Sequence, residues 1–401
     1  MGKRGEEIAI LAALFAMTFA STSQVMIVAP ILPRIGEELG VAEALQGTLI
    51  TSYGLMAGLC ALISGPVSDF VGRRRVLLIG TGWMAVALLL HGLANSYVTL
   101  LAVRALAGMA GGILGGVAVA YVGDYFPYER RGLANGWVMS GFALGQVLGI
   151  PIGAVMAQEF GFRSPFYAFA LLMALAFGLT LAMVPQPNVP LASELSLRTA
   201  VAKYWSLTTR LATGVAAASY LLMFLGVGLY LAYLPTWLEG RFDVNGRAIA
   251  GMFVVGGIGA VIMNPIAGKF SDRTGRKSLI LASCVLFAAI AAATPFVIPA
   301  FYWWAHGVFF AAMAAASMRI PPIQSLLSAL VPADERGSLM SLTSACGQSG
   351  FALGGSLAGL LYAQASFVAC TSASAAAVLV MAVMVWLWLP EPSEQEVHSL
   401  G

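Results

Sequence analysis

Two arginines stand in stretches of the chain where almost nothing else is charged. Arg104 lies within Arg104-Ala-Leu-Ala-Gly108, a few residues in from the end of an apolar run, and Arg319 precedes Pro321-Pro322 deep inside another. A guanidinium stays protonated in a protein. Charge at membrane depth is costly and marks function by default. Arg104 has one competing reading, a side chain that reaches back to the water interface. Arg319 is read either as contacting substrate or a coupling group, or as pairing with a backbone carbonyl or polar neighbour. Gln24, Asn264, Gln324 and Gln348 are uncharged polar residues at membrane depth and complete the set of cavity candidates. None of the 18 acidic residues falls in the middle of an apolar run; Asp69, Asp124 and Asp272 sit at the edges. Buried arginines without a buried carboxylate make a positive cavity, which suits an anionic or zwitterionic substrate better than a lipophilic cation.

Other chemistries lack their residues. There is no GxxxxGK[ST] loop for a nucleotide, no HExxH and no His/Cys metal cluster. Cys60, Cys284, Cys346 and Cys370 lie in apolar segments without a CxxC pair and read as small hydrophobes. A multi-pass sensor or enzyme is therefore disfavoured, and no metal or cofactor is expected. The expected partners are a small-molecule substrate, protons and the lipid bilayer. A net charge of +3 leaves no nucleic-acid footprint, and a monomer is expected.

The elements that must position these residues follow from composition. Apolar residues make up 59% of the chain and charged residues 10%, against about 25% charged in a soluble protein. Lipid must be the solvent for most of it. A helix needs about 20 apolar residues to cross the hydrocarbon core. Twelve such spans are read at 8–33, 45–68, 75–95, 98–123, 132–158, 163–184, 209–238, 245–270, 276–297, 299–328, 337–363 and 367–389. Several exceed the membrane thickness, so tilts or kinks are expected. Basic residues set the orientation. With the N-terminus inside, the cytoplasmic set includes Lys3, Arg4, Arg73–Arg75, Arg130, Arg131, Lys269, Arg273, Arg276, Lys277 and Arg336, against Arg34, Arg163, Arg241 and Arg247 outside. Both termini are then cytoplasmic. A polar break at 185–208 reads as a linker between six-helix bundles at 1–184 and 209–390, with a tail at 391–401.

The two halves repeat each other. Gly65-Pro-Val-Ser-Asp69-Phe-Val-Gly72-Arg73 and Gly268-Lys-Phe-Ser-Asp272-Arg-Thr-Gly275-Arg276 lie 203 residues apart. Pro127-Tyr-Glu-Arg-Arg131-Gly132 and Pro332-Ala-Asp-Glu-Arg336-Gly337 lie 205 apart. A same-direction repeat implies two bundles related by an axis along the membrane normal. Asp69 and Arg73 stand one helical turn apart, within reach of an ion pair, while Arg74 and Arg75 read as orienting charge.

In these features the chain resembles the major facilitator superfamily of secondary transporters, whose loop signature recurs after the second and eighth spans. The resemblance implies an all-α membrane fold of twelve helices in two pseudo-symmetric bundles, alternating access and a bacterial cytoplasmic membrane. It implies that Asp69, Gly72 and Arg73, with Asp124 and the second copy Asp272, Gly275 and Arg276, form a conformational latch. In the family the aspartate faces the start of the eleventh helix, and the arginine bridges to an acid ending the fourth. The competing reading is that these charges only fix topology and cap helices. Arg104 is similar to the family's RxxxG arginine, linked to proton coupling. Gly145-x-x-x-Gly149-Ile-Pro151-Ile-Gly153 resembles the antiporter signature of efflux members, but Ile150 separates Gly149 from Pro151 and the final glycine pair is single. The alternative is a small-residue packing face. The expected function is proton-coupled efflux of a small molecule. Uptake or exchange of an organic anion, or flipping of a lipid-like substrate, remains open on the same fold.

Overall fold

A computed structural model describes residues 3–191, 197–298 and 300–391. The first part of the chain forms α1 (Lys3–Met26), α2 (Val28–Leu39), α3 (Glu43–Gln46), α4 (Thr48–Val71), α5 (Arg73–Gly92), α6 (Tyr97–Tyr125), α7 (Tyr128–Phe160) and α8 (Ser164–Met183). A connecting helix α9 (Leu197–Thr209) follows, then α10 (Leu211–Leu231), α11 (Leu234–Phe242), α12 (Gly246–Thr274) and α13 (Arg276–Val297). A π-helical turn at Phe301–Ala305 leads into α14 (His306–Ser317), α15 (Ile320–Ala329), α16 (Ala333–Gln364) and α17 (Phe367–Trp388). No strand occurs among the described residues.

Apolar side chains cover the long helices on all sides, the mark of a membrane span. Leu89, Leu171, Leu175, Val380 and Trp386 are exposed, while alanines and glycines fill the packed faces. Among the described residues, ten helical segments are long and apolar enough to cross a membrane. The tenth and eleventh spans read from sequence are not among the ten. The tenth is split into α14 and α15, and serines, glycines and Gln348 dilute the hydropathy of α16.

Prolines set the breaks. A helical proline lacks the N–H for the carbonyl four residues back and its ring crowds that carbonyl. Pro30 faces the end of α1 at Met26, Pro235 the end of α10 at Leu231, and Pro321 the end of α14 at Ser317. Pro30 and Pro235 lie 205 residues apart, so this kink belongs to the repeat. Pro151 lies inside α7 without breaking it.

The helices cluster into two compact units, Met1–Val41 with Ser52–Ala200, and Ala42–Thr51 with Val201–Gly401. In the first, α1 packs on α7 and α8, and α5 on α6 and α8. In the second, α10 packs on α16 and α17, and α13 on α14 and α17. These are the same pairings, shifted by one repeat. The short α3 packs on α16, and Tyr233 accepts from Gly47 N at 3.0 Å while donating to the Glu43 carbonyl.

Candidate functional site

The polar residues gather in three places. The first is the junction between α4 and α5. Arg73 Nε donates to Asp124 Oδ2 at 2.8 Å, and its terminal nitrogens pair with Asp69 and Ser68 Oγ. One guanidinium thus ties the last turn of α4, the first residue of α5 and the last turn of α6. Asp69 is 51% exposed and Asp124 26%, so the Asp124 pair is the less screened of the two. Gly72 joins the helices at φ +103°, a backbone region that side chains resist, and Gly275 repeats this at φ +91°. A Cβ on Gly72 would also lie 2.9 Å from Gln186 Nε2. Gly72→Ala is expected to cost about 1–2 kcal/mol from the left-handed backbone alone. Thermal unfolding of the purified protein reads this directly, and an unchanged midpoint contradicts it.

This junction holds more than the sequence reading assigned to it. Arg74 N donates to Gln186 Oε1 at 3.1 Å, and its side chain donates to the carbonyls of Val184 (2.6 Å) and Leu181 (2.8 Å). In the second unit Arg276 N donates to Glu391 Oε1 at 2.6 Å, and Lys277 Nζ to the Leu389 carbonyl at 3.0 Å. Arg74 and Lys277 therefore cap the C-terminal ends of α8 and α17, where a cation is favoured. Arg74 is more than orienting charge. Gln186 and Glu391 escaped the sequence reading, although Pro185-Gln-Pro187 and Pro390-Glu-Pro392 stand 205 residues apart and offered the signal. The Asp272 side chain lies outside the described residues. Arg210 grips Glu335 through two hydrogen bonds, 2.6 and 3.1 Å.

The second place is Arg104, which is 1% exposed and so does not reach an interface. Its Nη1 donates to Gln24 Oε1 at 3.1 Å, and the guanidinium lies 4.6 Å from the centre of the Tyr53 ring, close enough for cation–π attraction. Tyr53 is in turn hydrogen-bonded to Gln24 and Ser21. A Cβ on Gly108 or Gly112 would overlap the carbonyls of Tyr53 or Ala57. The glycine of Arg104-x-x-x-Gly108 thus lets α4 approach α6 and brings Tyr53 under the arginine. Gln24, grouped by sequence with the cavity residues, is committed to Arg104.

The third place is Arg319, between α14 and α15. It is fully buried, and among the described residues none of its three guanidinium nitrogens has a hydrogen-bond partner. Its charge lies 4.9 Å from the centre of the Phe287 ring. Asn264 Oδ1 on α12 is also buried without a partner among the described residues. Gln324 is exposed and hydrogen-bonded to Tyr220, and Gln348 is half-buried on α16.

Further residues take part in packing. Gly145, Gly149 and Gly153 present one face of α7 to α1, where added Cβ atoms would lie 2.7 Å from the Phe19 carbonyl, 2.6 Å from Ser23 Cα and 2.5 Å from Ile27 Cβ. Tyr230 and Tyr233 are buried; Tyr230 meets Thr294 Oγ1 at 3.1 Å. His91 stacks on Phe166 with Nδ1 2.7 Å from the Ala87 carbonyl.

Comparison with known proteins fits this architecture. The sequence profile of the Major Facilitator Superfamily matches residues 14–310 and 216–401. An uncharacterized MFS-type transporter of Bacillus subtilis, YceJ, is 26% identical over 350 residues, covering 87% of this chain and 88% of its own. The multidrug resistance protein MdtG of Enterobacter lignolyticus is 30% identical over 325 residues, covering 78% and 75%. Among solved structures, a D-xylose–proton symporter superposes with a TM-score of 0.74 at 16% identity, over 96% of this chain and 98% of that one. The human organic anion transporter MFSD10 (TETRAN) gives 0.69 at 19%, over 94% and 99%.

Proposed function

The chain belongs to the Major Facilitator Superfamily and is a multi-pass membrane transporter, not an enzyme; from that premise we propose that it exports a small molecule in exchange for protons by alternating access. The bundles at 1–184 and 209–390 would rock about a midplane site, joined by the 185–208 linker, with both termini on the cytoplasmic side of a bacterial inner membrane. The observation that carries the export reading is the 30% identity to MdtG, a protein named for multidrug resistance. The Arg73 cluster supports the latch role for Asp69, Gly72 and Asp124. The buried Arg104–Gln24–Tyr53 group supports a coupling role for Arg104, since a fixed cation at membrane depth changes the proton affinity of whatever enters beside it. Uptake or exchange of an organic anion is the second reading, favoured by Arg319, whose guanidinium has no hydrogen-bond partner among the described residues.

Inside-out vesicles carrying the protein test the direction. With the lumen made acidic, export predicts accumulation of a drug-like dye in the lumen and proton release from it, both lost on adding a protonophore. Accumulation that ignores the gradient removes proton coupling, and dye flux only out of the vesicles reverses the direction.

A further inference from the structure

The buried guanidinium between α14 and α15 packs on Phe287 but makes no hydrogen bond among the described residues, and this sets the chemistry of what it meets. We propose that Arg319 is an anion subsite of the second unit and that the transported substrate is an organic anion, one carboxylate or sulfonate on an apolar body. The proposal deepens the transporter reading above and rests on it.

Four observations carry the inference. Arg319 is fully buried, and Nε, Nη1 and Nη2 all lack hydrogen-bond partners among the described residues; a buried charge left in that state strongly disfavours the folded protein. The protein's own spans offer no counter-charge. From Val201 to Glu391 the acidic residues are Glu239, Asp243, Asp272, Asp334, Glu335 and Glu391, all in loops or at helix ends. The repeat shows that the fold does not need this arginine. Arg319 stands thirteen residues before Pro332, and the position thirteen before Pro127 is Leu114, buried inside the unbroken α6. The helix is also opened at this point. Pro321 and Pro322 end α14 and start α15 without supplying backbone N–H donors, and the Arg319 guanidinium stands as a side-chain donor at the break.

The surroundings select an organic anion. Phe287 covers one face of the guanidinium and leaves its edges as the route for hydrogen bonding. A planar carboxylate matches that edge with two parallel bonds. Gly268 lies against Pro321, with a Cβ placed 3.8 Å from the proline ring, and one turn back along α12 is Asn264, whose Oδ1 is also unpartnered among the described residues. Asn264 Oδ1 is an acceptor, so it would take a hydroxyl on the body of the substrate and not the anion itself, in the mostly apolar surroundings usual for a small-molecule site.

The test uses the full-length protein purified in detergent. Probes are benzoate, salicylate, octanoate and octanesulfonate, each beside its neutral amide, with sodium chloride at equal ionic strength. The expected result is a rise in melting temperature with one or more organic anions, absent with the amides and with chloride. Arg319→Met should raise the melting temperature of the ligand-free protein, because a buried unpaired charge is replaced by an apolar side chain of similar length. The same variant should lose the anion-induced shift. Arg319→Lys keeps the charge without the planar fork and should weaken binding about tenfold or more. An Arg319→Met protein that melts below the wild type or does not fold overturns the proposal, since Arg319 would then be structural. So does a wild type that responds to no anion in the panel, to amides equally, or to chloride alone, or an anion-induced shift that survives in either variant at wild-type strength. Flux of the binding anion into proteoliposomes separates the two limbs: binding without flux overturns the anion as the transported substrate and leaves the subsite, whereas undiminished anion flux through Arg319→Met overturns the subsite and leaves the transporter.

Discussion

Arg73→Ala is expected to lower transport by about tenfold or more and to cost about 1–2 kcal/mol of stability, the scale for removing one member of a partly buried charge network. The loss has two parts. The links from the last turn of α4 to the last turn of α6 disappear, because among the described residues Arg73 is the cation that holds both Asp69 and Asp124. The two carboxylates are then left without the cation that separated their charges, and like charges at close range repel. The second part can be removed on its own. Arg73→Ala with Asp124→Asn should recover part of the stability without restoring the link, so the double mutant should be more stable than the sum of the singles predicts. Arg75, exposed in the same basic run, gives the control; Arg75→Ala should change stability by no more than about 0.5 kcal/mol. Melting temperatures and exchange rates in proteoliposomes measure both effects. If Arg73→Ala transports like Arg75→Ala, the cluster only fixes topology and caps helices, and the latch is lost as an explanation.

That contrast also marks what the sequence could reveal. The spans were legible because a helix that faces lipid must be apolar all round, and little else in a chain of this composition produces such runs. Arg73, Asp69 and Asp124 were legible because a turn of helix sets one pair and the family resemblance supplied the other. Arg74 was not, because its partners are backbone carbonyls at the end of α8, and a carbonyl leaves no trace in residue identity. Gln186 and Glu391 were legible only through the third repeat, two prolines flanking one polar residue, a signal too short to stand out alone. The breaks at Met26, Leu231 and Ser317 are consequences of Pro30, Pro235 and Pro321, yet Pro151 has the same chemistry and leaves α7 continuous. Proline chemistry alone does not decide between those outcomes, and single-chain periodicity does not carry the difference.

Gly350→Ala is expected to cost about 3 kcal/mol or more, and Gly350→Leu to yield no folded protein. An added Cβ would overlap the Leu221 carbonyl oxygen and lie 2.9 Å from its carbon and 3.0 Å from its Cα. All three atoms are backbone, so no rotamer change makes room, and α10 and α16 must separate. Gly178 in α8 controls for the intrinsic helix preference, because nothing lies within 4 Å of its Cβ position. Alanine there should be neutral or gain up to about 1 kcal/mol. The difference between the two variants isolates close helix packing, and equal melting temperatures would mean that α10 and α16 are held less tightly than their glycines imply. The same logic separates the two readings of the α7 motif. Gly149 approaches Ser23 Cα as Gly350 approaches Leu221, so a packing role requires Gly149→Ala to lose stability along with transport. An antiporter role requires a stable, folded Gly149→Ala protein whose substrate flux no longer follows the proton gradient. The geometry at Ser23 favours the first outcome, because the space that α1 needs is occupied before any question of coupling arises.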